Sequence, residues 1–245
     1  MSVGVSVLGA QAWPDVTPQR WLVVALGATE QHGPHLPLST DTDIANALAQ
    51  RLVQQRPQQT VLGPALPFGA SGEHQSFPGT LSIGSEALAH VLVELVRSAA
   101  LTFPGVVLVN GHGGNADGVR DAVKRLQSEG RAVLAWSPTL AAGGDHHAGF
   151  TETSVMLAIA APSVHLNRAA AGATKPLSAL LPAMRVGGVG AVAPSGVLGD
   201  PTGANAGDGH SILDAWTASL VAAFDDTIRA TTTPKSGPLP SHHQI

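Results

Sequence analysis

Apolar runs recur along the first 140 positions, and each is followed by polar, glycine-rich sequence. WLVVAL (21–26), TVLGPAL (60–66), GVVLVN (105–110) and RAVLAW (131–136) are continuous Val- and Leu-rich blocks, the pattern of strands buried on both faces of a parallel sheet. Segments of helical period lie between them. In TDIANALAQRLVQQR (42–56) the apolar positions 44, 45, 48 and 52 share one face. SEALAHVLVELVRSAAL (85–101) and ADGVRDAVKRLQSEG (116–130) repeat the logic, the latter closed by Gly130 as C-cap. Strands alternating with helices of this length predict an α/β fold with a mostly parallel sheet covered by helices on both faces, a three-layer sandwich. Further helices are expected over 151–161 and 210–230, with Gly/Pro-rich loops over 183–209. One domain is expected over 1–232 and a mobile polar tail over 233–245, where His242 and His243 are incidental.

Composition narrows the function classes. A chain of 245 residues buries roughly 70–75% of its unfolded surface as one large domain. With 44% hydrophobic and 12% charged residues it has the makings of a large core, not of a disordered chain. A net charge of −4 without a basic patch argues against nucleic acid as a partner. No run of about 18 apolar residues is present to span a membrane. The opening MSVGVSVLGAQAWP lacks the basic start of a signal peptide, so the cytosol is the expected compartment. Cysteine is absent, which rules out disulfides, thiolate nucleophiles and Cys-based zinc sites together. Any metal must be held by His and carboxylate.

In open α/β sheets, ligands bind beyond the carboxyl ends of the strands, and the polar clusters fall there. The first strand runs into Glu30, His32, His35, Asp41 and Asp43; the third into Asn110-Gly111-His112-Gly113-Gly114-Asn115; the fourth leads to Asp145, His146, His147 and Glu152. Glu30 and His32, two apart, point the same way on an extended segment. Asp41, at the start of a helix, either caps it or bridges two ions. With His112 these residues make a set of imidazole and carboxylate donors suited to zinc, manganese or iron. A rival reading takes Gly111, Gly113 and Ala116 as a G-x-G-x-x-A dinucleotide fingerprint. The next strand ends Ala135-Trp136-Ser137-Pro138, without the acid that would hold a ribose, so a nucleotide-binding oxidoreductase is disfavoured. A serine hydrolase lacks its G-x-S-x-G elbow. A non-catalytic metal scaffold is a further alternative, though structural zinc sites are usually closed and often Cys-rich.

The run Glu30-Gln31-His32-Gly33-Pro34-His35-Leu36-Pro37-Leu38 with Asp41, followed by GEHQSFPGTLS (72–82), NGHGGN (110–115), HAGFTETS (147–154) and GDPTGA (199–204), resembles the creatininase family of metal hydrolases. The resemblance implies two divalent metal ions (zinc, iron or manganese), hydrolysis of an amide C–N bond and a homo-oligomer. Glu30, His32, Asp41 and His112 match metal ligands, with Asp41 bridging, and His147 matches a residue of the catalytic loop. One departure is at Gly114, where creatininases proper carry a metal-binding Glu; either Glu152 replaces it, or water completes the shell, or Glu152 only orients His147. His147 and Glu152 are the catalytic candidates. Glu73 and His74 are candidates for contact with substrate, the alternative for His74 being a hydrogen bond that supports a loop. A second departure is the stretch AAGGDHH (141–147), which lacks the Trp of creatininases and makes creatinine itself a poor substrate. The sequence is most similar to the mycofactocin-system branch, peptidases expected to release a modified C-terminal Val-Tyr unit from a precursor peptide. A small cyclic amide or formamide is the alternative substrate. His35 is expected to orient its own turn, His146 to face solvent, and His210 to begin the last helix. Trp13, Trp21 and Trp216 are expected to pack on apolar elements.

Overall fold

The computed structural model describes residues 5–139 and 145–232; the tail expected over 233–245 and its two histidines lie outside them. The continuous apolar blocks become strands β1 (Trp21–Leu26), β2 (Thr60–Leu62), β3 (Val106–Asn110) and β4 (Val133–Trp136), all parallel in the order β2-β1-β3-β4. Among the described residues six α-helices surround them: α1 (Thr40–Gln55), α2 (Gly84–Ala99), α3 (Ala116–Ser128), α4 (Phe150–Ala160), α5 (Leu177–Gly187) and α6 (Ala206–Thr232). Every residue of β1 is buried. Its alternation sends Leu22, Val24 and Leu26 into one core with Leu88 and Leu92 of α2 and Leu126 of α3. Trp21, Val23 and Ala25 enter the opposite core with Leu48 and Leu52 of α1 and Leu220 and Phe224 of α6. Two apolar faces are why these strands show no polar alternation.

Four sequence expectations need correction. The second block forms a ladder only over Thr60–Leu62, because Pro64 has no N–H to give it. Beyond it the chain still follows β1, with Gly63 N–H to Val23 O at 2.8 Å and Leu66 N–H to Ala25 O at 2.9 Å. Helix α5 enters the segment expected to be loop, and Pro182 sits inside it. The last helix begins at Ala206, before His210, because the Asn205 side chain accepts the Asp208 N–H at 3.0 Å and so caps it. Trp13 is 87% exposed, whereas Trp21 and Trp216 are buried as expected. Gly130 sits just past α3 with φ +75, and the N–H of Arg131 closes back on Leu126 O, as its capping role requires.

Candidate active site

The carboxyl ends of β1 and β3 are adjacent, and α1 starts against them. Asp41 is the second residue of α1, behind Ser39, so it is not the N-cap; the Ser39 hydroxyl donates to Asp43 instead. The backbone of β3's exit passes so close that a Cβ on Gly111 would meet Asp41 O at 2.4 Å. That approach lets Asp41 face the loop that carries His112. The loop is clamped by two amides. Asn110 Nδ2 donates to His112 O at 2.8 Å, while Asn115 Nδ2 donates to Gly27 O at 3.1 Å and its Oδ1 accepts the Ala70 N–H at 2.8 Å.

Asp41 turns one oxygen to each of two donor sets. Oδ1 lies 3.1 Å from His32 Nε2, and Oδ2 lies 3.1 Å from His112 Nδ1. Glu30 Oε2 stands 3.2 Å from His112 Nε2, and Glu152 Oε2 stands 3.9 Å from His32 Nε2. His32 Nδ1 is 3.2 Å from Glu30 O, an acceptor that holds the proton there and leaves Nε2 aimed at the cluster. Glu30, Asp41 and His112 form one group of possible ligands, and His32, Asp41 and Glu152 another, with donor atoms of each group within 4.8 Å of one another. Glu30, His32 and His147 form a third such group.

His147 and His74 complete the floor. His147 Nε2 is 2.8 Å from Gln31 O and His147 Nδ1 is 3.8 Å from Glu30 Oε1, so the proton given to Gln31 leaves Nδ1 open toward the cluster. His74 Nε2 lies 3.3 Å from Glu30 Oε1, and Gln31 Nε2 is 2.7 Å from His74 Nδ1. His74 is therefore a buried neighbour of the carboxylates rather than a loop support alone. Gln31 passed unnoticed in the sequence. It accepts the Gly33 N–H on Oε1 at 2.8 Å, so its Nε2 donates to His74 Nδ1 at 2.7 Å and Gly196 O at 3.1 Å, while His147 Nε2 beside it keeps its proton for Gln31 O. Glu73 lines the same cavity with its side chain 33% exposed. His146 is exposed beside it. His35 does not serve its own turn: its Nε2 pairs with Thr153 Oγ1 of α4 at 2.9 Å.

The Gly114 departure has a steric cause. A Cβ there would meet Ala70 O at 2.4 Å, His112 Nε2 at 2.4 Å and Glu73 Oε1 at 2.5 Å. A carboxylate side chain does not fit on this loop as it is packed. Glu152 instead enters from the first turn of α4, where its Oε2 accepts the Ala148 N–H at 2.6 Å.

Burial dominates the electrostatics. It lifts the Glu30 carboxyl to about 8, reinforced by Asp41, and lifts Glu152 to about 7. It also opposes charge on His32 and His112, but Asp41 together with Glu30, joined by Glu152 at His32 and by Glu73 at His112, raises them to about 10 and about 9. Asp41 is held far below the ordinary carboxylate range, because the two imidazoles overcome its own burial. Burial and the nearby His32 push His74 down to about 3 and His147 well below the usual value. Glu30 Oε1, Glu30 Oε2 and Asp41 Oδ2 are buried without a well-aligned hydrogen bond, although each has an imidazole nitrogen within ion-pairing distance. Orphaned buried carboxylate oxygens facing imidazoles are costly in a protein interior, and a divalent cation satisfies them.

An α/β fold carrying a His/carboxylate cluster at its strand ends defines a metal-hydrolase type of site. The pattern of the creatininase (creatinine amidohydrolase) family matches residues 10–224, and the chain belongs to that family. It is a hydrolase acting on amide C–N bonds. A mycofactocin precursor peptide peptidase of Mycobacterium ulcerans is 52% identical over 206 residues, 80% of this chain and 82% of the relative. One of Mycobacterium tuberculosis is 47% identical over 224 residues, 88% and 85% of the two chains. A crystal structure of creatinine amidohydrolase superposes with a TM-score of 0.74 at 25% identity, covering 94% of this chain and 99% of that one.

Proposed function

We propose that this chain is a metal-dependent peptidase that releases the modified C-terminal Val-Tyr unit from the mycofactocin precursor peptide. The observation that carries the metal reading is Asp41, whose two oxygens face separate His/carboxylate sets at 3.1 Å each. Glu30 and His112 with Asp41 would hold one ion, and His32 and Glu152 with Asp41 the second. Imidazole with carboxylate suits zinc, manganese or iron. Divalent ions bound there supply Lewis acidity toward the amide carbonyl and an activated water at neutral pH.

The chain's own residues supply the rest. His147, with Nε2 committed to Gln31 O, presents Nδ1 as the atom that takes a proton and delivers it to the leaving nitrogen. Glu152 stands beside the same cluster, tied at one oxygen to Ala148 N, so it stays oriented through the reaction. Gln31 and His74 keep Glu30 and His147 in place from behind. Glu73, at the rim, is placed to touch substrate.

The peptide substrate is supported by the names of the relatives at 47–52% identity. It is supported also by space: the cavity over the cluster shares Glu73 and Met184 with an adjoining groove lined by Gly72, Gln75 and Arg185, so an extended chain has a path out. No Phe, Tyr or Trp lines the cavity among the described residues, which leaves creatinine without a large aromatic wall. Mass spectrometry of radical-modified precursor peptide incubated with the protein, with and without a chelator, tests the proposal. Metal-dependent release of the Val-Tyr unit is expected. An intact peptide with metal bound would contradict it and return the search to small cyclic amides.

A further inference from the structure

We propose that α5 is the specificity wall of this site, and that its aliphatic face receives an apolar side chain of the substrate residue adjoining the scissile amide. The inference rests on the metal-hydrolase reading above and deepens it by naming the chemistry that the site selects.

Leu177, Leu181 and Met184 lie at i, i+4 and i+7, one face of a helix, and all three line the cavity that holds Asp41, His112, His147 and Glu152. The fold uses only the Met184 end of this face for its own packing; Leu177 and Leu181 belong to none of the hydrophobic clusters among the described residues. Leu180, between them, is the buried anchor, packed with Val189, Ala193 and Leu198 in a small cluster separate from the two cores on the sheet. Leu177 and Leu181 stay half-buried over the cavity, while Ser178, Ala179, Pro182 and Ala183 face outward. A helix anchored by Leu180 and Met184 has no folding need for Leu177 and Leu181 held open above carboxylates and imidazoles. That pair contributes most when something apolar covers it.

Charge narrows what that is. No Lys or Arg lines the cavity among the described residues, and its wall of Leu177, Leu181, Met184, Val189 and Leu198 is aliphatic. Its volume of about 330 Å³ is at the small end of ligand sites, enough for a short segment of chain. The occupant is therefore a neutral, apolar side chain beside the amide that the polar floor binds.

Binding of alkyl hydroxamates to the manganese-loaded protein, followed by calorimetry, separates wall from floor. Acetohydroxamate reads the metal site alone. Lengthening it to hexanohydroxamate should tighten binding by about fourfold for each methylene that the wall buries. Leu181→Ser should abolish that gain and Leu181→Ala reduce it, each read as the ratio of hexanohydroxamate to acetohydroxamate affinity within the same variant. Ala183→Asp, on the outward face, should keep the whole gain. A wild-type protein that binds acetohydroxamate but gains nothing from chain length would overturn the wall, as would a gain that survives both Leu181 variants. Failure to bind acetohydroxamate at all would instead overturn the metal reading beneath it.

Discussion

Asp41 presents one oxygen to His32 and the other to His112, and its charge raises the pKa of both imidazoles even though burial works against them. Asp41→Asn keeps the shape and removes the charge. Metal content measured by plasma emission should fall, and activity should drop by more than the roughly 10–100-fold that losing an outer-shell partner costs. Full metal retention would remove Asp41 from the site. At this scale, Glu30, His32, Asp41 and His112 were legible because two short motifs at strand ends contain them. Gln31 was not, although it lies between two of them, because its partners His74, His147 and Gly196 are 43, 116 and 165 positions away. A side-chain amide carries no sign of such partners in its local sequence. The same holds for His35, whose partner Thr153 is 118 positions away.

Among the elements, the strands are legible because burial on both faces leaves a continuous apolar run; β1 matches its block residue for residue, while β2 stops short of Pro64. Helix α5 was missed because Pro182 and the glycines after it imitate a loop, while its apolar face is short and half open to the cavity. The segment leading into α4 shows what spacing cannot say. Asp145 Oδ1 accepts the Thr151 N–H at 3.3 Å, Ala148 adopts φ +53, and Glu152 folds back onto Ala148 N, so His147 is turned inward while His146 stays outside. A non-glycine residue in the left-handed region beside a candidate catalytic histidine is the kind of local strain that functional loops retain. His147→Ala should therefore lower kcat by roughly 10²–10⁴-fold, the scale of a lost proton donor, with metal content preserved. Loss of metal in that variant would make His147 a ligand instead.

For the molecule as a whole, the two cores on either face of the sheet are made of aliphatic and aromatic side chains and contain none of the cluster residues. Folding of the chain should not depend on metal, unlike a zinc finger, whose binding energy is its folding energy. Treatment with a chelator should abolish activity, leave the far-ultraviolet circular dichroism unchanged, and be reversed by adding zinc or manganese. Unfolding on metal removal would make the cluster a structural site. The sheet order β2-β1-β3-β4 places the ends of β1 and β3 side by side, and this adjacency, not any single motif, brings Glu30, Asp41 and His112 together. Sequence shows three strand ends rich in His and carboxylate; the strand order sets β1 beside β3, and the chain after β4 returns His147 and Glu152 to the same cluster. Anomalous diffraction from crystals grown with zinc or manganese tests the central claim most directly. Two peaks are expected flanking Asp41, one beside Glu30 and His112 and the other beside His32 and Glu152; peaks absent there, or a single ion bound away from Asp41, would contradict it.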